Sequence, residues 1–428
     1  MRILLGTGLG RGVAEYGNMG DVAMLQAGVT RLLRLWPSAT IQVLTDCSED
    51  LVVHCPEAKP VAHHGGEVWF GEGLPIGQLT RILPSSITLK LATFSKSLRL
   101  RRPGLFGLIL KSKLRLRDRP VDLNAVREFS KAFDKADLVV ICGAGGFFDN
   151  CRGWNMDTLD LVEAAIQRHV PVAMLGQNFG PLADVEVLAR MKSIIPSVDL
   201  LTLRGNRGGA AFIESMGIGN SKFQITGDEA IEMAYNLRTE EPGRALGINM
   251  RVSKSAETGS DDVQRLKPIL QTFSRRQNAD MIPVPISIHP YDRDDVAIKE
   301  LLVGFDEQSD GGCKLRTPMK VIKQIGRCRV LASGAYHAAV FALSQGIPVV
   351  CLAKSPYFGS KFLGLGDQFG PGCETVFLND PEMPEKLNEA LEKVWQSAET
   401  LRVPLQMAAR RQIESSCGAY QKIRNLLG

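Results

Sequence analysis

One stretch of the chain, from Leu331 to Val350, constrains the fold more than any other. A short apolar run ends at Ser333 and Gly334, which predicts a buried strand followed by a turn that starts a helix. Gly346 ends that helix, and the apolar run after it predicts the next strand. A strand, a turn and a helix in this order are typical of a parallel sheet, in which ligands bind at the carboxyl ends of the strands.

His337 falls in the opening turn of this predicted helix. The N-terminus of a helix favours an anion, because its first backbone N–H groups point away from the helix. A histidine at this place can serve acid–base chemistry, or it can simply cap and pack the start of the helix. The pattern of residues leaves both interpretations open.

The same alternation of strands and helices occurs in two successive series. The first runs from residue 1 to about 240, including an insertion at about 58–122, and the second from 241 to 380. The sequence therefore predicts an α/β protein with two doubly wound, Rossmann-like domains that face each other across a cleft. Residues 381–428 are predicted to form two further helices. A length of 428 residues agrees with two domains, because it exceeds one ordinary core.

Loops that follow predicted strands of the first series carry the candidate residues of the cleft. These are Asn18, Asp21, Gly145, Gly146, Gln177 and Asp228. Each type of residue also has a purely structural interpretation, since Asn and Asp cap helices and glycines permit close packing. The first glycine-rich loop matches neither the dinucleotide-binding signature nor the P-loop signature.

Basic charge is concentrated in the insertion. Between Arg81 and Arg119, eleven Lys or Arg residues stand against one acid, so this segment carries +10 while the whole chain carries +5. Apolar residues are interleaved with these charges, which predicts peripheral contact with an anionic membrane surface. An ordinary solvated surface explains the charge equally well. Aromatic residues are too sparse there to stack on bases, so we expect no nucleic-acid partner.

Other features of the sequence argue against several classes of protein. No apolar run is long enough to span a membrane, and no signal peptide is recognisable. The nine cysteines form no CxxC pair and the six histidines have no zinc-site spacing. We therefore expect reduced thiols, no metal and a cytoplasmic location, at the inner face of the membrane if the basic segment binds lipid.

Several of these loops together resemble the polysaccharide pyruvyl transferase family. The matching features are Asn18-x-Gly-Asp21, Gly143-Ala-Gly-Gly146, Gln177-Asn-Phe-Gly-Pro181, Arg204, Asp228, Ser333-x-x-Tyr-His337 and Lys361. The resemblance extends from Arg2 to about Leu365, without the basic insertion. It implies a GT-B-like fold and a transferase that moves an enolpyruvyl unit from phosphoenolpyruvate to a sugar. The acceptor implied is an envelope or exopolysaccharide precursor, often lipid-linked.

The resemblance also implies roles for individual residues. His337 would be the general acid, and the residues that bind the donor would be Arg204, Ser333, Gly334 and Lys361. No cofactor is implied, because phosphoenolpyruvate is a substrate.

The chain departs from the family pattern at one position. The family usually has Arg two residues before the histidine, whereas this chain has Ala335. Arg207, Arg251 and Lys361 are the candidates to replace the missing cation. Two other functions stay open for this reason, namely a GT-B-like glycosyltransferase that uses a nucleotide-sugar and a non-catalytic binding protein on the same scaffold.

Overall fold

The computed structural model describes residues 1–10, 16–71, 87, 90–91, 94–95, 97–99, 103–115, 122–143, 146–290 and 292–427. The predicted cleft residue Gly145 lies outside the described residues. Most of the basic side chains between Arg81 and Arg119, on which the predicted membrane contact depends, also lie outside them.

Seven parallel strands form the first sheet, in the order β3-β2-β1-β4-β5-β6-β7. The strands are β1 (Arg2–Gly6), β2 (Thr40–Leu44), β3 (Lys59–Val61), β4 (Leu138–Ile141), β5 (Val172–Gln177), β6 (Leu200–Leu203) and β7 (Phe223–Ile225). The helices of this half are α1 (Met19–Leu35), α2 (Ser48–His54), α3 (His63–Gly71), α4 (Pro103–Arg115), α5 (Leu123–Asp134), α6 (Arg152–Gln167), α7 (Val185–Ile194), α8 (Ala211–Ser215) and α9 (Ile231–Asn236).

Both faces of this sheet are covered, as the apolar strands require. Alternate residues of β1 point to opposite faces, so Leu4 joins the apolar cluster formed with α3 to α8. Ile3 and Leu5 join the cluster on the other face, formed with α1 and α2.

Five parallel strands form the second sheet, in the order β12-β11-β10-β8-β9. They are β8 (Ala245–Asn249), β9 (Met281–Pro283), β10 (Cys328–Ser333), β11 (Val349–Ala353) and β12 (Cys373–Phe377). The helices are α10 (Ser260–Arg276), α11 (Asp294–Leu302), α12 (Pro318–Ile325), α13 (Tyr336–Gln345), α14 (Pro356–Phe369) and α15 (Met383–Leu426). The prediction of two parallel, doubly wound sheets is confirmed.

Two local predictions differ from the structure. Residues 381–428 were expected to contain two helices, but α15 is one helix of 44 residues with Pro404 inside it. Proline usually breaks a helix, yet Pro404 is exposed, so the carbonyl that it leaves unpaired can meet water. The insertion also begins later than residue 58, because β3 pairs with β2 at the edge of the sheet. Pro60 obscured this strand, and proline is tolerated on an edge strand.

Within the described part of the chain, no helix combines the length and the apolar character needed to cross a bilayer.

A buried charged network ties α15 back to the first half of the chain. Arg31 of α1 donates to Glu229 at 2.9 Å and lies 5.2 Å over the ring of Tyr420. Glu229 also accepts from the Tyr420 hydroxyl at 2.7 Å and from the Ser416 hydroxyl at 2.9 Å. Because a buried carboxylate is costly to leave unpaired, these contacts fix the loop that carries Glu229.

We predict that Tyr420→Phe lowers the free energy of unfolding by about 1.5–3 kcal/mol, because the charged Glu229 carboxylate loses the hydrogen bond that Tyr420 donates. Urea denaturation measures the change. Tyr235→Phe is the matched control, since the Tyr235 hydroxyl makes no hydrogen bond to the described residues, and its effect should stay within about 0.5 kcal/mol. Equal effects of the two substitutions would show that the Tyr420 hydroxyl adds nothing to stability.

Candidate functional site

A cavity of about 310 Å³ lies where the carboxyl ends of the two sheets meet. Its lining comes from loops after strands of both sheets and from α14. It includes Thr7 after β1, Gly143 after β4, Arg204 after β6, Arg251 after β8, Ile286 after β9, His337 after β10 and Lys361 on α14. This is the position at which open parallel sheets bind ligands.

Contacts of α1 join the two halves at one edge of the cavity. The Asn18 side chain caps α1 by accepting from the backbone N–H groups of Gly20 and Asp21, at 3.0 and 3.3 Å. Met19 N donates to the carbonyl of Ile286, in the second half, at 2.9 Å. Asn18 and Asp21 both line the cavity, so Asn18 combines the capping role with a place at the site.

His337 lies in the first turn of α13 and is 6% exposed. The Ser333 hydroxyl accepts from the backbone N–H of Ala335 at 3.0 Å and thereby forms the turn that precedes the helix. The imidazole ring packs directly against α1, because a Cβ atom built on Gly20 would lie 2.0 Å from it. The sequence at both helix starts therefore sets the position of this ring.

Asp228 lies between two potential cations. Its Oδ2 atom is 3.2 Å from Arg204 Nη1 and 3.5 Å from His337 Nε2, and its Oδ1 accepts from Ala230 N at 2.9 Å. Burial alone would raise the pKa of Asp228. The Arg204 guanidinium and the His337 imidazole outweigh burial and hold this pKa well below its usual range. Asp228 is therefore an ionised carboxylate that can orient His337.

Arg204 is 2% exposed and held from several sides. Its Nε donates to the carbonyl of Gly176 at 2.9 Å, and its guanidinium lies 5.7 Å from the centre of the Tyr336 ring. Together with the Asp228 ion pair, these contacts fix the Arg204 side chain in one position at the cavity wall. It is a preorganised cation.

Lys361 projects from α14 into the same cavity. Its ammonium donates to the Tyr357 hydroxyl at 2.7 Å and lies 5.1 Å from the centre of the Tyr336 ring. The residue as a whole is partly exposed, but its ammonium is enclosed by these rings. Burial and the nearby Arg204 guanidinium lower the pKa of Lys361 to about 7. Lys361 can therefore gain or lose its proton near neutral pH.

Arg251 is a second buried arginine at the cavity wall. Asp294 holds it in a fork, with oxygens 2.6 Å from Nε and 3.2 Å from Nη2, and Asp292 lies 3.4 Å from Nη1. Asp294 also accepts from Asn249 Nδ2 and from Ile286 N, both at 2.9 Å. Asp292 and Asp294 were not predicted from the sequence. The only signal is a run of acids after a predicted strand, which is also common at the start of a helix.

Aromatic side chains form another wall that the sequence analysis did not identify. Phe148 and Tyr357 stack with ring centres 4.7 Å apart, and Trp154 and Tyr336 complete the wall. Burial raises the pKa of Tyr336, with a further contribution from Asp228, so its hydroxyl stays protonated. These residues come from three separate segments, around Phe148 and Trp154, at Tyr336 and at Tyr357, and no sequence pattern relates the segments.

The structure brings most of the predicted site residues to this cavity. Those that line it are Asn18, Asp21, Gly146, Arg204, His337 and Lys361. Asp228 lies directly behind Arg204 and His337.

The other predicted residues support the site or lie away from it. Gln177 is buried between strands, where its side chain donates to the carbonyls of Ile141 and Leu175. Ser333 and Gly334 shape the turn before α13. Arg207 is exposed and pairs with Asp367, so it does not replace the missing arginine. Arg251 and Lys361 are the two candidates that reach the cavity.

One group of possible metal ligands occurs among the described residues, formed by His63, Glu67 and Asp157. Their ligand atoms lie within 4.8 Å of one another. None of the three residues lines the cavity, so they take no part in the site.

Comparisons with known proteins agree with this architecture. A family model described as polysaccharide pyruvyl transferase matches residues 18–356. A search of curated proteins by sequence finds no match. In structure the chain is similar to the UDP-GlcNAc 2-epimerase from Neisseria meningitidis bound to UDP-GlcNAc, with a TM-score of 0.55, 10% identity and 100% of each chain covered.

Two further structures are similar over nearly their whole length. HepE from Anabaena in complex with UDP has a TM-score of 0.52 and 11% identity, with 100% of this chain and 99% of that chain covered. A glycosyltransferase from Rickettsia africae has a TM-score of 0.51 and 12% identity, with 100% and 98% covered. Such low identities show the fold alone, and that fold is the predicted GT-B-like one.

We predict that Gly20→Ala displaces the His337 ring, because the added methyl group would overlap it. A crystal structure of the variant should show the ring moved from Asp228. Gly153→Ala is the matched control, since Gly153 is also the second residue of a helix and a Cβ atom there meets nothing within 4 Å. An unmoved ring in Gly20→Ala would show that the backbone of α1 does not set its position.

Proposed function

Since this chain belongs to the polysaccharide pyruvyl transferase family, and is thus a transferase, we propose the following reaction. The protein moves the enolpyruvyl unit of phosphoenolpyruvate onto a sugar of an envelope or exopolysaccharide precursor. The observation that carries the proposal is the meeting of Arg204, His337 and Lys361 in one cavity between the two sheets. An anionic donor needs such cations, and its protonation needs a positioned acid.

The donor's carboxylate and phosphate would lie among Arg204, Lys361 and the N-terminus of α13. The first turn of α13 has no side-chain cap, which leaves its outward N–H groups available to an anion. Lys361 adds a charge that the anion itself would stabilise, because an opposite charge raises the pKa of an ammonium.

Arg251 is our candidate for the cation that the family pattern places at position 335. Ala335 is 1% exposed, and the neighbouring Gly334 packs so closely that a Cβ atom on it would lie 3.1 Å from Arg251 N. The backbone at Arg251 therefore lies beside the turn that precedes His337, and Arg251 also lines the cavity. Its fork to Asp294 fixes the guanidinium before the donor arrives.

The reaction follows from the chemistry of an enol phosphate. His337 would deliver a proton to the methylene carbon while a sugar hydroxyl adds to the neighbouring C2 atom and gives its own proton to a base or to water. A second hydroxyl of the same sugar then forms a bond to C2 and gives its proton to the leaving phosphate, as the bond from C2 to the phosphate oxygen breaks. The products are a pyruvate ketal and free phosphate. Asp228 would keep His337 aligned.

We predict that His337→Asn lowers kcat by ~10²–10⁴-fold with phosphoenolpyruvate and a saccharide acceptor, because the general acid is lost. Phosphate release measures the rate, and urea denaturation checks the fold. His169→Asn is the control, because His169 is exposed with a φ of 57°, a conformation that asparagine adopts readily. Wild-type turnover by His337→Asn would remove this residue from the mechanism.

We predict that phosphoenolpyruvate binding takes up a proton above a pH of about 7, where Lys361 is neutral in the empty site. The bound anion raises the pKa of Lys361, so affinity should fall as pH increases, by up to about tenfold per pH unit. Calorimetry in buffers with different ionisation heats counts the protons.

The variant Lys361→Arg shows whether Lys361 or His337 takes up the proton. Arginine cannot take up a proton here, because it stays charged at every accessible pH. Proton uptake should vanish in the variant. Uptake that persists would assign the titration to another group. Thermal stabilisation by UDP-GlcNAc and none by phosphoenolpyruvate would contradict the proposed donor and favour the nucleotide-sugar alternative.

A further inference from the structure

We propose that a groove between α4 and α5 docks this protein on an anionic lipid surface. The groove has a volume of about 430 Å³ and shares no lining residue with the cavity described above. Its base is apolar and one rim is basic. The inference does not depend on the proposed transfer reaction, because it concerns binding at a separate surface.

The apolar part of the surface comes from α4. Phe106 and Leu110 of this helix are buried, and Phe106 meets the Trp69 ring edge-on with centres 5.0 Å apart. These contacts anchor the helix to the fold. Leu105 and Leu108, in contrast, are 44% and 65% exposed. Large apolar side chains that face water on an anchored helix are typical of a helix that enters a membrane interface.

The basic rim comes from α5. Arg127 and Lys131 are exposed and four residues apart, and Lys135 follows at the same spacing just after the helix ends. Residues at this spacing lie on one side of a helix, and all three line the groove. Asp134 also lines it, but its carboxylate is paired with Arg168 at 2.5 Å. The rim therefore presents net positive charge.

Charge complementarity indicates that the binding partner of the groove is an anionic lipid surface. α4 lies inside the segment Arg81–Arg119, which carries +10 by sequence. Basic residues beside exposed leucines suit lipid headgroups and the acyl chains beneath them. α4 and α5 also share an apolar cluster with α6, whose first turn reaches the cavity through Trp154. Docking through the groove would therefore bring lipid to the face of the sheet that carries this helix.

Co-sedimentation tests the proposal with vesicles of phosphatidylcholine, alone or mixed with phosphatidylglycerol. The wild-type protein should bind the mixed vesicles and lose binding as salt rises, since the screening length is only ~8 Å at physiological ionic strength. The charge variant combines R127Q, K131Q and K135Q. Each basic residue contributes about fivefold to such binding, so the variant should bind about a hundredfold more weakly.

The control for this variant removes the same charge from exposed positions on α12 and α15, namely K320Q, K323Q and R411Q. It should bind like the wild-type protein. Equal losses in both variants would show a general effect of net charge and overturn the proposed groove. A wild-type protein that ignores the mixed vesicles at low salt would also overturn it, and a protein partner would then explain the surface better.

A second pair of variants tests the apolar contact without changing the basic rim. Leu108→Glu places a charge at a position that is 65% exposed, so the fold should tolerate it. Loss of one inserted leucine should weaken binding by about tenfold to a hundredfold. Met407→Glu is the control, because Met407 is 56% exposed on α15. Unchanged binding of Leu108→Glu would exclude insertion of α4 and overturn the proposal.

Discussion

The candidate site depends on one buried carboxylate. Asp228 is 3% exposed and holds Arg204 and His337 around a single oxygen atom. Removing a charge from water costs several kcal/mol, so the arrangement persists only because each charge has a partner. Removing Arg204 would leave the Asp228 carboxylate buried without its main partner, and removing Asp228 would leave the Arg204 guanidinium buried without a carboxylate. The position of the imidazole and that of the guanidinium are therefore coupled through the carboxylate.

This coupling also explains why the site needs both halves of the chain. Arg204 and Asp228 follow strands of the first sheet, whereas His337 follows a strand of the second. Gly20 then lets α1 approach the imidazole ring closely enough to fix it. Near Asp228, Glu229 is held by Arg31 and by two residues of α15. The long last helix thus supports a site that it does not line.

The sequence predicted the parts of the structure that depend on local patterns. The run from Leu331 to Val350 gave a strand, a turn and a helix with His337 in its first turn, and all three occur. Loops after strands were expected to meet at one edge, and six of the named residues line one cavity. Local pattern could not predict contacts between distant segments. The fork between Arg251 and Asp294 and the stacking of Phe148 on Tyr357 belong to this second group.

The same limit applies to the edge strand and the last helix. The segment Lys59–Val61 is too short, and too interrupted by proline, to be recognised without its partner β2. Pro404 indicates a break, and only the exposure of its position explains why α15 continues. In both cases the surroundings of the residue decide the structure, whereas propensity describes the residue alone.

The charges of the cavity also determine how the cavity would respond to an anion. Arg204 and Arg251 are each paired with aspartates, so neither presents a full free charge. Lys361 has no such partner among the charged side chains that the structure describes around it, and it lies near Arg204. A permanently charged Lys361 would repel the Arg204 guanidinium and destabilise the fold. A pKa of about 7 reduces this repulsion, since part of the Lys361 population is neutral near that pH. An anion bound beside Lys361 would raise the pKa of the ammonium and favour its charged form.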